Sequence, residues 1–290
     1  MQGLKYIQKE IPILSSLETI AHAYEESSIF KIQQIRTGVL GTRDYLTGLS
    51  QVYFDIKYSE ALQKKEQITR DSKHSVTAPT KIQKTLIVLL SAGAKLYGDI
   101  IQDVFDEFLK AVKQDGQADV MVVGRLGEEM FKDAIGSRQH LFFEVPDVNL
   151  QARDLEPIIY HIVRYERVMV FHGKFFNLMT QKPSILNISG ETMLGGDKRS
   201  SAQKIRFLFE PSLDKLVTFF ETQIFATLFN QTVHESELAR YASRVTAMEE
   251  SLQFIKRRKK ELFDRRGRLR RVEQQKKQLE RISGMRLWNN

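Results

Sequence analysis

The sequence predicts an α/β head flanked by two long helices that pair with each other as an antiparallel coiled coil. Near the C-terminus, apolar residues fall at Leu238, Tyr241, Val245, Met248, Leu252 and Phe254/Ile255 with helical three-four spacing. Near the N-terminus the same beat runs through Ile35, Val39, Thr42, Leu46, Leu49, Tyr53 and Ile56. Such a repeat averages about 3.5 residues, so its apolar stripe stays aligned with a supercoiling partner helix. Between the two stripes the pattern changes to short continuous apolar runs, the mark of strands buried on both faces. Ile35, Val39, Leu46 and Leu49 on one side, and Leu238, Tyr241, Val245, Leu252, Ile255 and Leu262 on the other, are the expected seam.

Taken in order, residues 3 to about 57 read as one helix. Pro12 is expected to loosen its first turns, because it removes a backbone donor. Gly38, Gly41 and Gly48 lie roughly on one face. They either admit a second backbone closely or simply cost about 1 kcal/mol each relative to Ala. Residues 58–80 are polar and close on Pro79, as a connector would. The run Thr85–Leu90 is the first buried strand, followed by a loop over 91–99 and a helix from Ile100 to Lys113. Val120–Val123, ended by Gly124, is the second strand, and 127–133 is helical. His140–Val145 is the third strand, Leu155–Tyr165 a helix and Val168–Phe171 the fourth strand. Two more strands are expected at Ser184–Ser189 and Lys204–Phe209, around a Gly/Ser-rich loop at 190–201. Strand and helix alternating in this way make a small Rossmann-like sheet covered by helices. Ser212 is the expected N-cap of the last helix, which runs to about Ile282, on the order of 100 Å. The expected organisation is an N-terminal coiled-coil helix over 1–57, a connector over 58–83 and the head over 84–205. A C-terminal coiled-coil helix over 206–284 and a tail over 285–290 complete it.

Composition closes several routes. The 290 residues contain no cysteine, which excludes disulfides and thiol chemistry. No run of roughly 18 apolar residues occurs and Met1–Glu10 has no apolar core, so neither a membrane span nor an export signal is expected. The six histidines are scattered without metal-ligand spacing, and no Ser sits in G-x-S-x-G. The loop Gly93–Gly98 follows a buried strand but lacks both G-x-G-x-x-G and a closing Lys-Ser/Thr, so it reads as a structural turn. No catalytic residue, cofactor or metal is therefore expected. The net charge of +8 is local: Lys256–Arg281 holds 13 Lys/Arg against 4 Asp/Glu, leaving 31 basic and 32 acidic residues elsewhere. That basic rod calls for an acidic neighbour, and its lack of interleaved aromatics argues against nucleic acid. Lys259 and Arg266 fall on the seam between Ile255, Leu262 and Leu269, where a charge is costly unless an acid meets it. Glu18, Glu25 and Glu26 on the opposite helix are candidates, as are acidic segments of an enclosing protein.

Five motifs in order resemble the gamma subunit of rotary, F-type ATP synthases. Arg244-Val245-Thr246-Ala247-Met248 is similar to the family's Arg-Met-x-Ala-Met. Arg270-Arg271 falls on its Arg-Gln pair, and Glu280 with Ser283-Gly284 on its closing Glu-x-x-Ser-Gly. Phe209-Glu210-Pro211-Ser212 looks like its Tyr/Phe-Glu-Pro-Ser, and Val122-Val123-Gly124-Arg125-Leu126-Gly127 like its strand ending in Gly-Arg-Lys-Gly. Leu4, Ile7, Ile11, Ile20, Ala23 and Lys31 match in the N-terminal helix. Three stretches depart from the pattern. Tyr24-Glu25-Glu26-Ser27 replaces a Met-Lys/Glu-Met-Val stretch, and Ala239-Arg240 stands where the family has Ser-Glu. The family's Asp-Arg-Gly-Leu-Cys-Gly becomes Ala92-Gly93-Ala94-Lys95-Leu96-Tyr97-Gly98.

The resemblance implies a non-catalytic central-stalk rotor. It would couple proton flow to conformational cycling of a ring of alpha and beta subunits, with an epsilon-type small subunit and a membrane ring of c subunits as further partners. It implies a peripheral location on the cytoplasmic face of a bacterial plasma membrane. Arg244, Met248, Lys259, Arg266, Arg270, Arg271, Glu280, Glu25 and Glu26 are the expected contacts with the catalytic ring. Two alternatives stand beside it: the rotor of an F-type-like ATPase uncoupled from protons, and a coiled-coil scaffold or nucleic-acid binder.

Overall fold

A computed structural model of the chain describes residues 2–67, 82–136, 138–147, 150–189 and 213–288. The elements are α1 (Gln2–Gln67), β1 (Ile82–Leu90), α2 (Ile100–Gln114), β2 (Asp119–Val123), α3 (Arg125–Ile135) and β3 (Leu141–Phe143). They continue with α4 (Ala152–Ile162), β4 (Tyr165–Asn177), β5 (Thr180–Ser189) and α5 (Leu213–Trp288). These residues form two compact units: residues 1–30 with 244–290, and residues 31–243.

In the larger unit the five strands lie in the order β3-β2-β1-β4-β5. The first four are parallel and β5 runs antiparallel to β4. β1 is central, which is why Leu86–Leu90 are all buried and read as an unbroken apolar run. Its side chains alternate between two cores. Ile87 and Leu89 point with Val120, Val122 and Phe171 into a core covered by α2 and α3. There Phe108 is ringed by Phe105, Phe131 and Phe171 at centroid distances of 6.1, 5.9 and 5.9 Å. Burying one such ring stabilises by about 1.5–3 kcal/mol. Leu86, Val88 and Leu90 face the other core, closed by α4 and by Phe225, Phe229 and Val233 of α5. Strand β1 thus has helices on both faces, the doubly wound arrangement that the alternating sequence predicts.

Local chemistry sets the ends of the elements. Arg138 donates to the carbonyls of Val112, Asp115 and Ala118 at 2.7, 3.1 and 2.7 Å, satisfying groups that the end of α2 and the turn after it leave free. At the start of α4, the Asp154 carboxylate accepts from the Gln151 backbone N–H at 2.9 Å. Pro157 falls inside α4, and α1 runs through Pro12 without a break.

Several expectations need correcting. Helix α1 continues ten residues beyond 57, so the start of the expected connector is helical. β4 and β5 form a long hairpin rather than two short strands, with Asn177 at its turn accepting from Met179 N–H at 2.9 Å. Polar residues on the solvent side hid its length; among the described residues β5 pairs with β4 alone, which leaves Pro183 on an edge strand. Among the described residues nothing lies within 4 Å of a Cβ placed on Gly38, Gly41 or Gly48, so none of their backbone approaches there. The strand expected at Lys204–Phe209, the loop at 190–201 and the cap at Ser212 lie outside the described residues.

Within the larger unit, α1 and α5 pack through Leu46, Tyr53, Ile56 and Ile224, supported by Leu49. Tyr53 O–H donates to Glu221 at 2.9 Å. Ile35 and Tyr241 of the expected seam pack instead against the α2–α3 core of the sheet. Leu238 is buried, and the side chain of Val39 is outside the described set.

Candidate functional site

Two places concentrate charged and aromatic side chains. The first is the C-terminal edge of the parallel strands. In a doubly wound sheet, ligands bind where the connections leave in opposite directions, here between β1 and β4. In this chain the position is taken by α5 itself. Ala239 lies so close to Gly173 of β4 that a Cβ there would be 3.1 Å from the Ala239 methyl. Arg240 donates to the Ser91 carbonyl, reaches Asp147 Oδ1 at 3.5 Å and stands 5.6 Å over the Tyr97 ring. Tyr241 packs edge-on against Tyr97 at 5.8 Å and donates to the Asp147 carbonyl at 2.9 Å. Asp147 also accepts from the Gly93 N–H at 2.9 Å, so one residue ties the loop to the helix.

Glycines make room for this seat. Gly98 has a φ of 67°, and a side chain there would meet Ser243 Oγ at 2.4 Å. Gly124 has a φ of 101° with the backbone of Ala92 at 2.9 Å from its Cβ position, which explains the Val-Val-Gly-Arg-Leu-Gly motif. Arg125 then donates to the Gly93 carbonyl at 3.2 Å. The loop after β1 therefore holds a helix rather than a phosphate. Of these residues Arg240 carried a signal in the sequence as a charge opposite to the expected one, the loop Gly93–Gly98 as a turn, Gly124 and Arg125 as part of a motif, and Tyr241 as a seam position. Ser91 and Asp147 carried none.

The second place is the smaller unit. Ile7 and Leu14 pack on Ile255 and Leu262, with Ile11 and Leu269 alongside, and Ala21 packs on Met248 and Leu252. Low numbers meet high ones, so the two segments are antiparallel. Polar contacts fix the register: Arg258 Nε donates to Glu10 at 2.9 Å, and Lys259 Nζ to Glu18 at 2.7 Å. The Lys259 hydrogen bond holds the Glu18 carboxyl below its ordinary pKa. Glu10 likewise raises the pKa of Arg258.

Of the expected ring contacts, Arg244 is buried with its guanidinium 5.4 Å from the Tyr24 ring centroid, and Met248 lies in the apolar cluster. Val245 is buried as well. Lys259 is taken by Glu18, and Arg266 stacks 5.2 Å over Phe263. Glu25 pairs with His22 at 3.3 Å. Glu26, Arg270, Arg271 and Glu280 are exposed, as are Lys256, Arg257, Lys260, Arg265 and Arg268. Phe254 is 66% exposed, and Val272, Leu279 and Ile282 are exposed further along the helix.

No group of three His, Asp or Glu side chains able to hold a metal occurs among the described residues. His172 is buried in β4, where desolvation pushes its pKa down to about 4 and keeps the ring neutral. Among the described residues no helix is long and apolar enough to cross a membrane.

Comparison with known proteins agrees with this architecture. The family model described as ATP synthase matches residues 3–274. The ATP synthase gamma chain of Protochlamydia amoebophila is 20% identical over 257 residues, which cover 86% of each chain. A central-stalk chain of the Tetrahymena thermophila mitochondrial ATP synthase superposes with a TM-score of 0.59 at 17% identity, covering 80% of this chain and 98% of that one. A chain of the Euglena gracilis mitochondrial ATP synthase gives 0.52 at 13% identity, covering 88% and 93%. The match along nearly the whole sequence, and a fold shared with a solved central stalk, place this chain in the ATP synthase gamma-subunit family.

Proposed function

We propose that this chain is the central rotor shaft of an F-type ATP synthase. It couples proton flow through a membrane ring of c subunits to conformational cycling of a ring of alpha and beta subunits. In this reading the sheet-bearing part, about 84–205, sits against an epsilon-type small subunit and the c ring, on the cytoplasmic face of a bacterial plasma membrane. The shaft performs no chemistry. Its asymmetric surface holds each catalytic subunit in a different state of nucleotide affinity, and rotation passes those states on.

The observation that carries this reading is the division of charge in the smaller unit. Glu10 and Glu18 engage Arg258 and Lys259 across the helix pair, while Arg257, Lys260, Arg265, Arg268, Arg270 and Arg271 stay exposed, as does Phe254. A run of exposed cations suits an enclosing protein surface with acidic levers. Co-purification tests the reading. A tagged chain that brings down two P-loop subunits and a proton-ring subunit supports it. Two P-loop subunits without a proton ring would leave the uncoupled ATPase rotor, and neither would leave the scaffold.

A further inference from the structure

We propose that a cavity between α1 and α5 is a binding site for a small organic cation: a guanidinium or ammonium group on a short alkyl stem, with a carboxylate at its far end. The inference goes beyond the rotor reading and does not depend on it.

The cavity measures about 250 Å³, and its wall residues all belong to the larger unit. Sites for drug-sized molecules run to roughly 300–1,000 Å³, so this one suits a molecule of amino-acid size. Its most unusual wall residue is Glu237, whose side chain is only 6% exposed. Among the described residues, the one polar group that meets this carboxylate is His234 Nδ1, at 3.4 Å. Good N–H···O contacts are about 2.7–3.2 Å long, and charge-assisted ones fall at the short end. A buried carboxylate is costly unless a cation or several donors meet it, so one long contact leaves Glu237 poorly compensated. A cation bound in the cavity supplies what the protein side does not.

The other walls narrow the class of that cation. Ile35 and Leu150 present half-buried apolar surface, which suits an alkyl stem. A bare metal ion would gain nothing from them, and no metal-binding group of His, Asp or Glu occurs among the described residues. Lys31, which donates to Gln34 at 3.1 Å, lines the same cavity. Its charge disfavours a second cationic end on the ligand and suits a carboxylate there. Gln34 and Gly38 are exposed, so the cavity reaches solvent. Gly38 also acquires a reason to be glycine. Among the described residues a Cβ there meets nothing within 4 Å, so a larger side chain has the cavity to grow into.

Calorimetric titration of the whole chain with L-arginine tests the proposal. Citrulline, of the same shape without the charge, and agmatine, cationic at both ends, are the comparisons. Arginine should bind with a Kd below about 1 mM, and the other two at least about tenfold more weakly. Glu237→Gln keeps the shape and should weaken arginine binding at least about tenfold, the scale of a lost charged hydrogen bond. Gly38→Leu should abolish binding without lowering the unfolding temperature, since leucine is the better helix former. Amide exchange over 31–42 and 234–240 should slow when arginine is added to the parent chain and stay unchanged in Gly38→Leu. Absence of saturable arginine binding, citrulline binding as tightly as arginine, or a Glu237→Gln chain that binds like the parent overturns the proposal. The same titration on the assembled complex distinguishes the source of the cation. Arginine that still binds there marks a free molecule. Arginine excluded there, with Glu237→Gln weakening assembly, marks a cationic side chain of a neighbouring subunit in the same cavity. Binding to the isolated chain needs no partner subunit, so a complex that does not turn would reject the rotor reading and leave this site standing.

Discussion

Leu252→Ala is the sharpest probe of the helix pair in the smaller unit. Leu252 is 0% exposed and packs on Ala21 and Met248. The substitution loses the transfer free energy of the removed carbons and leaves a void, together about 2–5 kcal/mol for a buried leucine. Met248 is flexible enough to lean into part of that void, so the lower half of the range, about 2–3 kcal/mol, is expected. Phe254 lies two residues away with 66% of its surface exposed, and Phe254→Ala should change stability by no more than about 0.5 kcal/mol. Native-state amide exchange across 244–262, read against urea, measures both variants on the same helix. In the assembled complex the order should reverse: Phe254→Ala should weaken assembly while barely touching the isolated chain. A Leu252→Ala cost below about 0.5 kcal/mol, or equal costs for both variants, would refute the pairing.

Replacing Arg265, Arg266, Arg268, Arg270 and Arg271 together by Gln should lower ATP-driven rotation or assembly, most at low salt. Single replacements should be nearly silent, since an exposed pair contributes about 0.2–1 kcal/mol. Full hydrolysis and coupling in the fivefold variant would mark this as a solvated face. The Glu18 carboxyl is held low by Lys259, so its contribution is present above the ordinary carboxylate range and lost as pH falls through its folded value. Glu18→Gln should remove that acid-side loss in exchange over the N-terminal turns of α1, and an unchanged profile contradicts the pair. His172 is kept neutral down to about pH 4, while the unfolded ring protonates near 6.5. Stability of the sheet unit should therefore fall by up to roughly 3 kcal/mol as pH drops through that window. His172→Gln should flatten the profile, and a parent chain equally stable at pH 6.5 and 4.5 contradicts it.

Features with a period were legible in the sequence. The buried run of β1, the switch to helical spacing and the seam residues Leu252, Ile255 and Leu262 follow from geometry that repeats every few residues. Lys259 was legible for a different reason, because a cation on a seam demands an acid, and Glu18 supplies it at 2.7 Å. The seat of α5 was not legible. Asp147 and Ser91 contact Arg240 from 93 and 149 residues away, and no local pattern encodes such a pairing. The sequence also does not say that Ile35 and Tyr241 leave the helix seam for the sheet core, since a half-buried position on either surface has the same spacing. Arg244 reads as an outward charge, yet its long stem and planar head lie along Tyr24, as arginine permits.

Rotation itself tests the central claim most directly. The chain has no cysteine, so Met179→Cys at the β4–β5 turn, 77% exposed, gives a unique attachment point for a visible probe. With the catalytic ring fixed to a surface and ATP supplied, the probe should turn in one direction with pauses related by threefold symmetry. A probe that stays fixed while the complex hydrolyses ATP would contradict the account.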